Sequence, residues 1–360
     1  RTIYIWPGIR VIGYGPQRPV FLLADNTPGF QQGIGTMVFF AGFRMRGASG
    51  FRLPPPPPGT VPPNPNIADS NPGTFYSAMS NIDFEIGNGN AGAVAIRSHF
   101  AQHGYLAHMD FHIGSGLAAL HDVGNLGQDL HFFGGRYGIL TRKPSAAWQY
   151  TLLDSTFDGQ REAAIRENEA QLTVINCVFR NVPTAIAIER NYSDQLFVKD
   201  SRFENVSGPA IIVSNENSRL TQVNIEGAIC RDVPVFARFR ESGRQLAGAA
   251  PIYQVNTLSH GLTLAAMGAI GEIKTSYDAA PLATLPARQP DTMAATPPVD
   301  QWVNVRTLGL KGDGVTDDTE ALQKAIAGHK ILYLPSGNYV VKDTISLRPD
   351  TVLIGLHSNP

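Results

Sequence analysis

The sequence predicts an all-β chain wound as a right-handed parallel β-helix, and three observations carry that prediction. Four segments between Tyr150 and Glu226 superimpose: Leu153-Asp154-Ser155-Thr156-Phe157, Ile175-Asn176-Cys177-Val178-Phe179, Lys199-Asp200-Ser201-Arg202-Phe203 and the opening Val223-Asn224-Ile225. Their Asp/Asn positions 154, 176, 200 and 224 are separated by 22, 24 and 24 residues. The first three copies are each followed by a turn-forming patch and a short apolar run, beginning at Ala163, Ala185 and Ala210. Self-similarity at such a period marks arrays whose units bury an apolar face only by stacking on the next unit. The runs are also too short for an amphipathic helix. A unit of about 23 residues at ~3.3 Å rise holds three short strands and their corners. The right hand follows from the handedness of parallel crossovers.

Stacking sets like residues over like. Phe157, Phe179 and Phe203 should form an inward column, with Ser155, Cys177 and Ser201 as a small-residue neighbour and the Asp/Asn positions as a ladder along one corner. Only two cysteines occur, Cys177 in the ladder and Cys230 outside its register, and both are expected as buried free thiols.

Residues 1–23 are β-rich with Gly and Pro punctuation. At an offset of 342 they match the other end of the chain, Thr2, Ile3, Pro7, Ile12 and Gly13 against Thr344, Ile345, Pro349, Ile354 and Gly355. The chain is therefore expected to start inside one module and stop inside a second copy, as a piece of a longer tandem protein. Met37 to Phe40 give the first rung, and Pro54 to Pro58 with Pro62, Pro63 and Pro65 form a stiff loop that no ladder accepts. Less regular repeats run from Ile82-Asp83-Phe84 through Met109-Asp110-Phe111 to Leu130-His131-Phe132. The expected divisions are a first β-helix over 1–274, a linker over 275–302, and a cap helix with the first strands of a second β-helix over 303–360. In that last part Asp317 or Thr316 should cap a helix from Asp318 to Ala327, with Glu320 as capping-box partner.

With 360 residues there is ample material for a core, and the turn-rich composition, Gly 36 and Pro 26, suits a β protein. A net charge of −1 with 16% charged residues gives no footprint for nucleic acid or an anionic membrane. No apolar run approaches a membrane span and no signal peptide is visible.

Gly312 to Ile326 (GDGVTDDTEALQKAI), followed by Leu332-Tyr333-Leu334-Pro335-Ser336-Gly337-Asn338-Tyr339, resembles the amino-terminal cap of pectate-lyase-like right-handed β-helix proteins. Its acidic residues lack EF-hand spacing and read as turn and cap formers. Two consecutive β-helices, together with Asn81 to Ile96 and Gln102-His103, resemble glycoside hydrolase family 55, the β-1,3-glucanases. That resemblance implies inverting hydrolysis of a β-1,3-glucan-type polysaccharide in a cleft between two helices, secretion, a monomer and no cofactor. It puts the catalytic Glu on the second helix, beyond residue 360, and leaves this chain as one wall of the cleft, inactive alone. A polysaccharide-binding tailspike-like module and a polysaccharide lyase stand as alternatives.

An inverting hydrolase needs an acid on the leaving oxygen and a polar group holding water on the opposite face. The corners 166–171, 189–195 and 214–218 fall on successive rungs and should form one polar ridge. Its substrate- and water-positioning candidates are Glu167, Gln171, Glu189, Tyr192, Ser193 and Glu216, of which Gln171 and Ser193 match residue types that the resemblance implies. Six of the nine histidines lie between His99 and His131, but on strands and turns their spacing is not that of a metal site, so none is expected. Trp148-Gln149-Tyr150 is a candidate aromatic platform for a sugar, or core.

Overall fold

The computed structural model describes residues 1–15, 17–42, 67–70, 74–142, 149–288 and 296–356. The chain divides into two compact units, residues 1–13 with 19–293 and residues 14–18 with 294–360. The first is a right-handed parallel β-helix. In one rung Tyr150–Leu153 leads to a corner at Asp154, Thr156–Asp158 follows, and a turn leads into Ala163–Glu167. The next rung lays Leu172–Ile175, Val178–Val182 and Ile186–Ile188 parallel on those three strands. Among the described residues the third strands of the rungs build a ten-stranded sheet, and the first and second strands share a fifteen-stranded sheet that bends at the corner.

The Asp/Asn ladder has a backbone cause. Asn81, His108, Asp129, Asp154, Asn176 and Asp200 all hold φ between 49° and 56°, the left-handed region. That conformation costs most side chains ~1–2 kcal/mol, and Asn, Asp and Gly least. The expected fourth member, Asn224, is not at the corner. Strand Gln222–Arg231 pairs Gln222 with Gln195 and Asn224 with Phe197, so the left-handed residue that follows is Gly227, at φ 67°. A longer preceding turn displaces the pattern. The same register seats Cys230 opposite Phe203, in line with the aromatic column and outside the small-residue column that holds Cys177. Both thiols are buried and free.

That column is longer than the three rings expected. Phe84, Phe111, Phe132, Phe157, Phe179 and Phe203 stack with centroids 4.4–5.5 Å apart, all fully buried. Phe21 and Phe236 meet its two ends edge-on. Beside it, the Ser155 and Ser201 hydroxyls accept the backbone N–H groups of Leu130 and Cys177 from the preceding rungs, each at 3.1 Å. The small column therefore supplies hydrogen bonds where the corner breaks the ladder.

Ile252–Thr263 lies antiparallel on the last long strand, and Glu272–Pro281 lies antiparallel on Ile252–Thr263. These strands cover an edge that would otherwise present unpaired N–H and C=O groups. Residues 275–281 are thus strand where a linker was expected. Exposed and half-buried residues alternate from Glu272 to Ala279, a period that the small residues and Pro281 obscure in the sequence. The proline loop from Pro54 and Trp148 lie outside the described residues.

In the second unit, helix Thr319–Gly328 buries Leu322, Ala325 and Ile326 against Val305, Leu310 and Leu332. Val303–Asn304, Ile331–Leu334 and Val352–Gly355 form a parallel sheet. The helix begins one residue later than expected, after Asp318. Asp318 turns its carboxylate to the N–H groups of Lys311 (2.7 Å) and Gly312 (2.9 Å). Asp317 accepts from the Thr319 N–H at 3.0 Å, while Glu320 pairs with Lys324 at 2.7 Å and closes no capping box. Asp313 accepts from the N–H groups of Val315 and Thr316, so these acidic residues form turns and caps.

Candidate functional site

The ridge read from the sequence separates into an inner and an outer set. Glu167, Ser193 and Glu216 are buried. The Ser193 hydroxyl accepts from Asn215 Nδ2 at 2.7 Å. Glu216 Oε2 and Oε1 accept the N–H groups of Glu241 and Ser242, and its carbonyl lies 2.9 Å from His260 Nε2. Both residues fasten turns. Glu167 is in register with Ile188, and it is buried because it follows the outward-facing Arg166 and alternation turns it in. Gln171, Glu189 and Tyr192 remain accessible.

Glu167 is paired inside the solenoid. Its Oε2 accepts from the Ala170 N–H at 3.1 Å, and Asp194 Oδ1 accepts from the Gln171 N–H at 2.8 Å. Glu167 Oε1 and Asp194 Oδ2 are buried and have no hydrogen-bond partner. Burial, then the neighbouring Asp194 carboxyl, push Glu167 well above the usual carboxylate range, and burial also raises Asp194. Both carboxyls are shielded from any substrate.

Glu189 belongs to a groove on the outer face of the ten-stranded sheet, a concavity of about 350 Å³. Its floor is small and apolar: Ala163, Ala187 and Ile212 on successive rungs. Its sides carry one connected polar chain. Arg136 Nε donates to Glu162 Oε1 at 2.6 Å, and the Tyr137 hydroxyl donates to the other Glu162 oxygen. Arg166 Nη1 donates to that hydroxyl at 2.8 Å, while Arg166 Nε pairs with Glu189 Oε1 at 2.6 Å. Partial burial pushes the Glu162 carboxyl up, but the bonds from Tyr137 and Arg136 outweigh it and hold the group below the usual range. Arg190 and Arg240 complete the wall, Arg240 fixed by Ser214 Oγ (2.7 Å) and the Ile188 carbonyl (2.9 Å). Charged carboxylates held by arginines accept hydrogen bonds from hydroxyls or water and supply no proton to a leaving group.

Sequence reasoning missed Tyr137, Glu162 and Arg240. Tyr137 opens its strand and Glu162 stands in the turn before one, whereas the ridge read from the sequence lies only in the turns after strands; Arg240 does follow a strand, Val235–Phe239, but one rung beyond the corners considered. For Glu162 the available signal is its place beside the Ala163-Ala164 run.

The histidines are absorbed into packing and ion pairs. His108 Nδ1 and His131 Nε2 both meet Asp129, at 2.6 and 2.9 Å, and these bonds hold that carboxyl far below its usual range. His103 stacks on Tyr76 and His112 on Phe133. His121 lies 2.7 Å from Arg97 Nη1 in a buried cluster with Asp69 and Asp122, and burial pushes its pKa down to about 4. Among the described residues no His/Cys/Asp/Glu group is arranged to hold a metal, and no helix is long and apolar enough to cross a membrane. Tyr150 is buried at 1% exposure and offers no platform.

Residues 302–360 match the family described as Rhamnogalacturonase A/epimerase, pectate lyase-like. Short stretches are similar to three curated proteins. The pre-neck appendage protein of Bacillus phage phi29 is 49% identical over 53 residues, 15% of this chain and 6% of that protein. Alginate lyase 7 of Azotobacter vinelandii is 58% identical over 43 residues, 11% of this chain and 5% of that protein. The glucan 1,3-beta-glucosidase of Cochliobolus carbonum is 38% identical over 58 residues, 15% of this chain and 7% of that protein. The matched stretches thus span less than a tenth of each relative's length. Together with the parallel solenoid, they support the pectate-lyase-like β-helix superfamily.

Proposed function

We infer that the protein is carbohydrate-active, and that the groove between Tyr137 and Arg240 is one wall of a cleft in which a β-1,3-glucan-type polysaccharide is held for inverting hydrolysis. The observation that carries this is the chain Arg136–Glu162–Tyr137–Arg166–Glu189, which crosses rungs above an apolar floor. Such a wall orients sugar hydroxyls and a water molecule. Glu162 is held below the usual carboxylate range, so this reading takes the general acid from a facing wall, at the roughly 6.5–9.5 Å separation that inversion requires. The similarity to a glucan 1,3-beta-glucosidase supports the substrate class. Secretion and a monomeric state belong to the same reading.

One observation favours a second reading. Three arginines, Arg166, Arg190 and Arg240, face two carboxylates, Glu162 and Glu189, an excess of positive charge that suits an acidic glycan such as the substrate named in alginate lyase 7. Incubating the natural full-length protein with laminarin and with alginate separates the two. Hydrolysis of laminarin releasing the α-anomer first, undiminished by chelator, is the expected result. An unsaturated uronate product from alginate, or loss of all activity with chelator, would overturn the first reading. A phage-appendage-like binding module would bind glycan and release no product.

A further inference from the structure

A second concavity, of about 410 Å³, lies on the other sheet, on the outer face of the rung strands Tyr150–Leu153, Leu172–Ile175, Gln195–Lys199 and Gln222–Arg231. Its lining includes Gln149, Gln171, Gln195 and Gln222. These four are one column. Gln195 pairs directly with Gln222, Gln171 stands two residues before the Thr173–Phe197 pair, and Gln149 and Gln171 precede the paired Tyr150 and Leu172. Alternation places them outward, since the intervening Leu172, Val174, Leu196 and Val198 are buried. Phe197, half-buried, and Asn224 stand beside the column.

The glutamine column departs from ordinary sheet surface in two respects. No charged side chain lines the concavity, although charged residues face solvent on the adjoining sheet. Among the described residues the four carboxamides form no side-chain hydrogen bond, so donors and acceptors repeat along the axis at the rung spacing of ~4.8 Å. Each carboxamide both donates and accepts, as a sugar hydroxyl does. The absence of cations disfavours phosphate or uronate ligands, and Phe197 offers a face for the apolar side of a pyranose ring.

We propose that this column is a binding site for an uncharged glycan chain lying along the solenoid axis, with successive sugars bridged by Gln149, Gln171, Gln195 and Gln222 and one ring packed on Phe197. The site is on a different sheet from the Tyr137–Arg240 groove, and its assignment does not depend on the function inferred for that groove. It would hold a polymer without acting on it.

Calorimetric titration of the chain with laminarihexaose, cellohexaose and hexagalacturonate tests this, in a background carrying Glu189→Gln and Arg166→Ala so that the groove is disabled. A neutral hexasaccharide is expected to bind in that background, and Phe197→Ala to weaken it about tenfold, the scale of one lost ring contact. Gln195→Lys should weaken it further, and hexagalacturonate should not bind. Thermal melts of the two face variants should match their background, since neither residue is in the core. The proposal is overturned if both neutral probes fail to bind in that background, if their binding is indifferent to Phe197→Ala and Gln195→Lys, or if hexagalacturonate binds with the same sensitivity. Loss of neutral binding on disabling the groove alone would overturn it while leaving the groove's role standing.

Discussion

Glu162 and Glu167 are five residues apart, one just before the strand Ala163–Glu167 and the other at its end, and have opposite fates. Glu162 stands at the outer wall, charged and gripped by Tyr137 and Arg136, with its carboxyl below the usual range. Glu167 is fully buried, with its carboxyl well above that range beside Asp194. Residue type gives both the same chemistry; the face of the rung decides which of them a ligand meets. The inside of the solenoid is built for cohesion, and its outer faces have polar side chains to spare for recognition.

The sharpest test of that division is on the inner side. Phe179→Ala removes an inner ring of the stacked column, between Phe157 and Phe203, and is expected to cost about 3–5 kcal/mol, read as a large fall in the denaturation midpoint. A drop comparable to that of a surface variant would break the comparison. At the corner, Asp200→Val forces a β-branched residue into the left-handed region and should cost ~1–2 kcal/mol, whereas Asp200→Asn should be nearly neutral.

Glu167→Gln probes the buried acid. Because its folded pKa is raised above the ordinary value of 4.5, the folded state binds its proton more tightly than the unfolded chain. The stability this provides is fully present below that ordinary value and is lost as pH rises through the raised folded pKa. Melting temperatures taken from mildly acidic to mildly alkaline buffer should therefore fall less in Glu167→Gln than in the parent chain. Parallel slopes would show that the proton is not held there. The smallest effect on stability is expected from Glu189→Gln, whose partner Arg166 is exposed enough that the pair contributes ~0–1 kcal/mol, while glycan affinity in the groove drops.

Much of the interior was legible because its constraints are local. A left-handed corner admits few residue types, so Asp154, Asn176 and Asp200 announce themselves, and the Phe three residues later marks the column. Legibility failed where another residue met the same demand: His108 holds the corner upstream and Gly227 downstream, and Cys230 replaces a ring. The outer site was less visible. Turn composition located the rung edges but not the direction of each side chain, so Glu167, Ser193 and Glu216 were placed outside. Tyr137, Glu162 and Arg240 come together only across rungs, 103 residues apart at the extremes, through a register no single segment encodes.

The central claim, that the groove on the ten-stranded sheet is the polysaccharide-binding wall, is tested most directly by a crystal structure of this chain soaked with laminarihexaose. Sugar density lying over Ala163, Ala187 and Ile212, with hydroxyls on Glu162 and Glu189, is the predicted result. A clear hexasaccharide bound elsewhere, with that groove filled only by solvent, would contradict it.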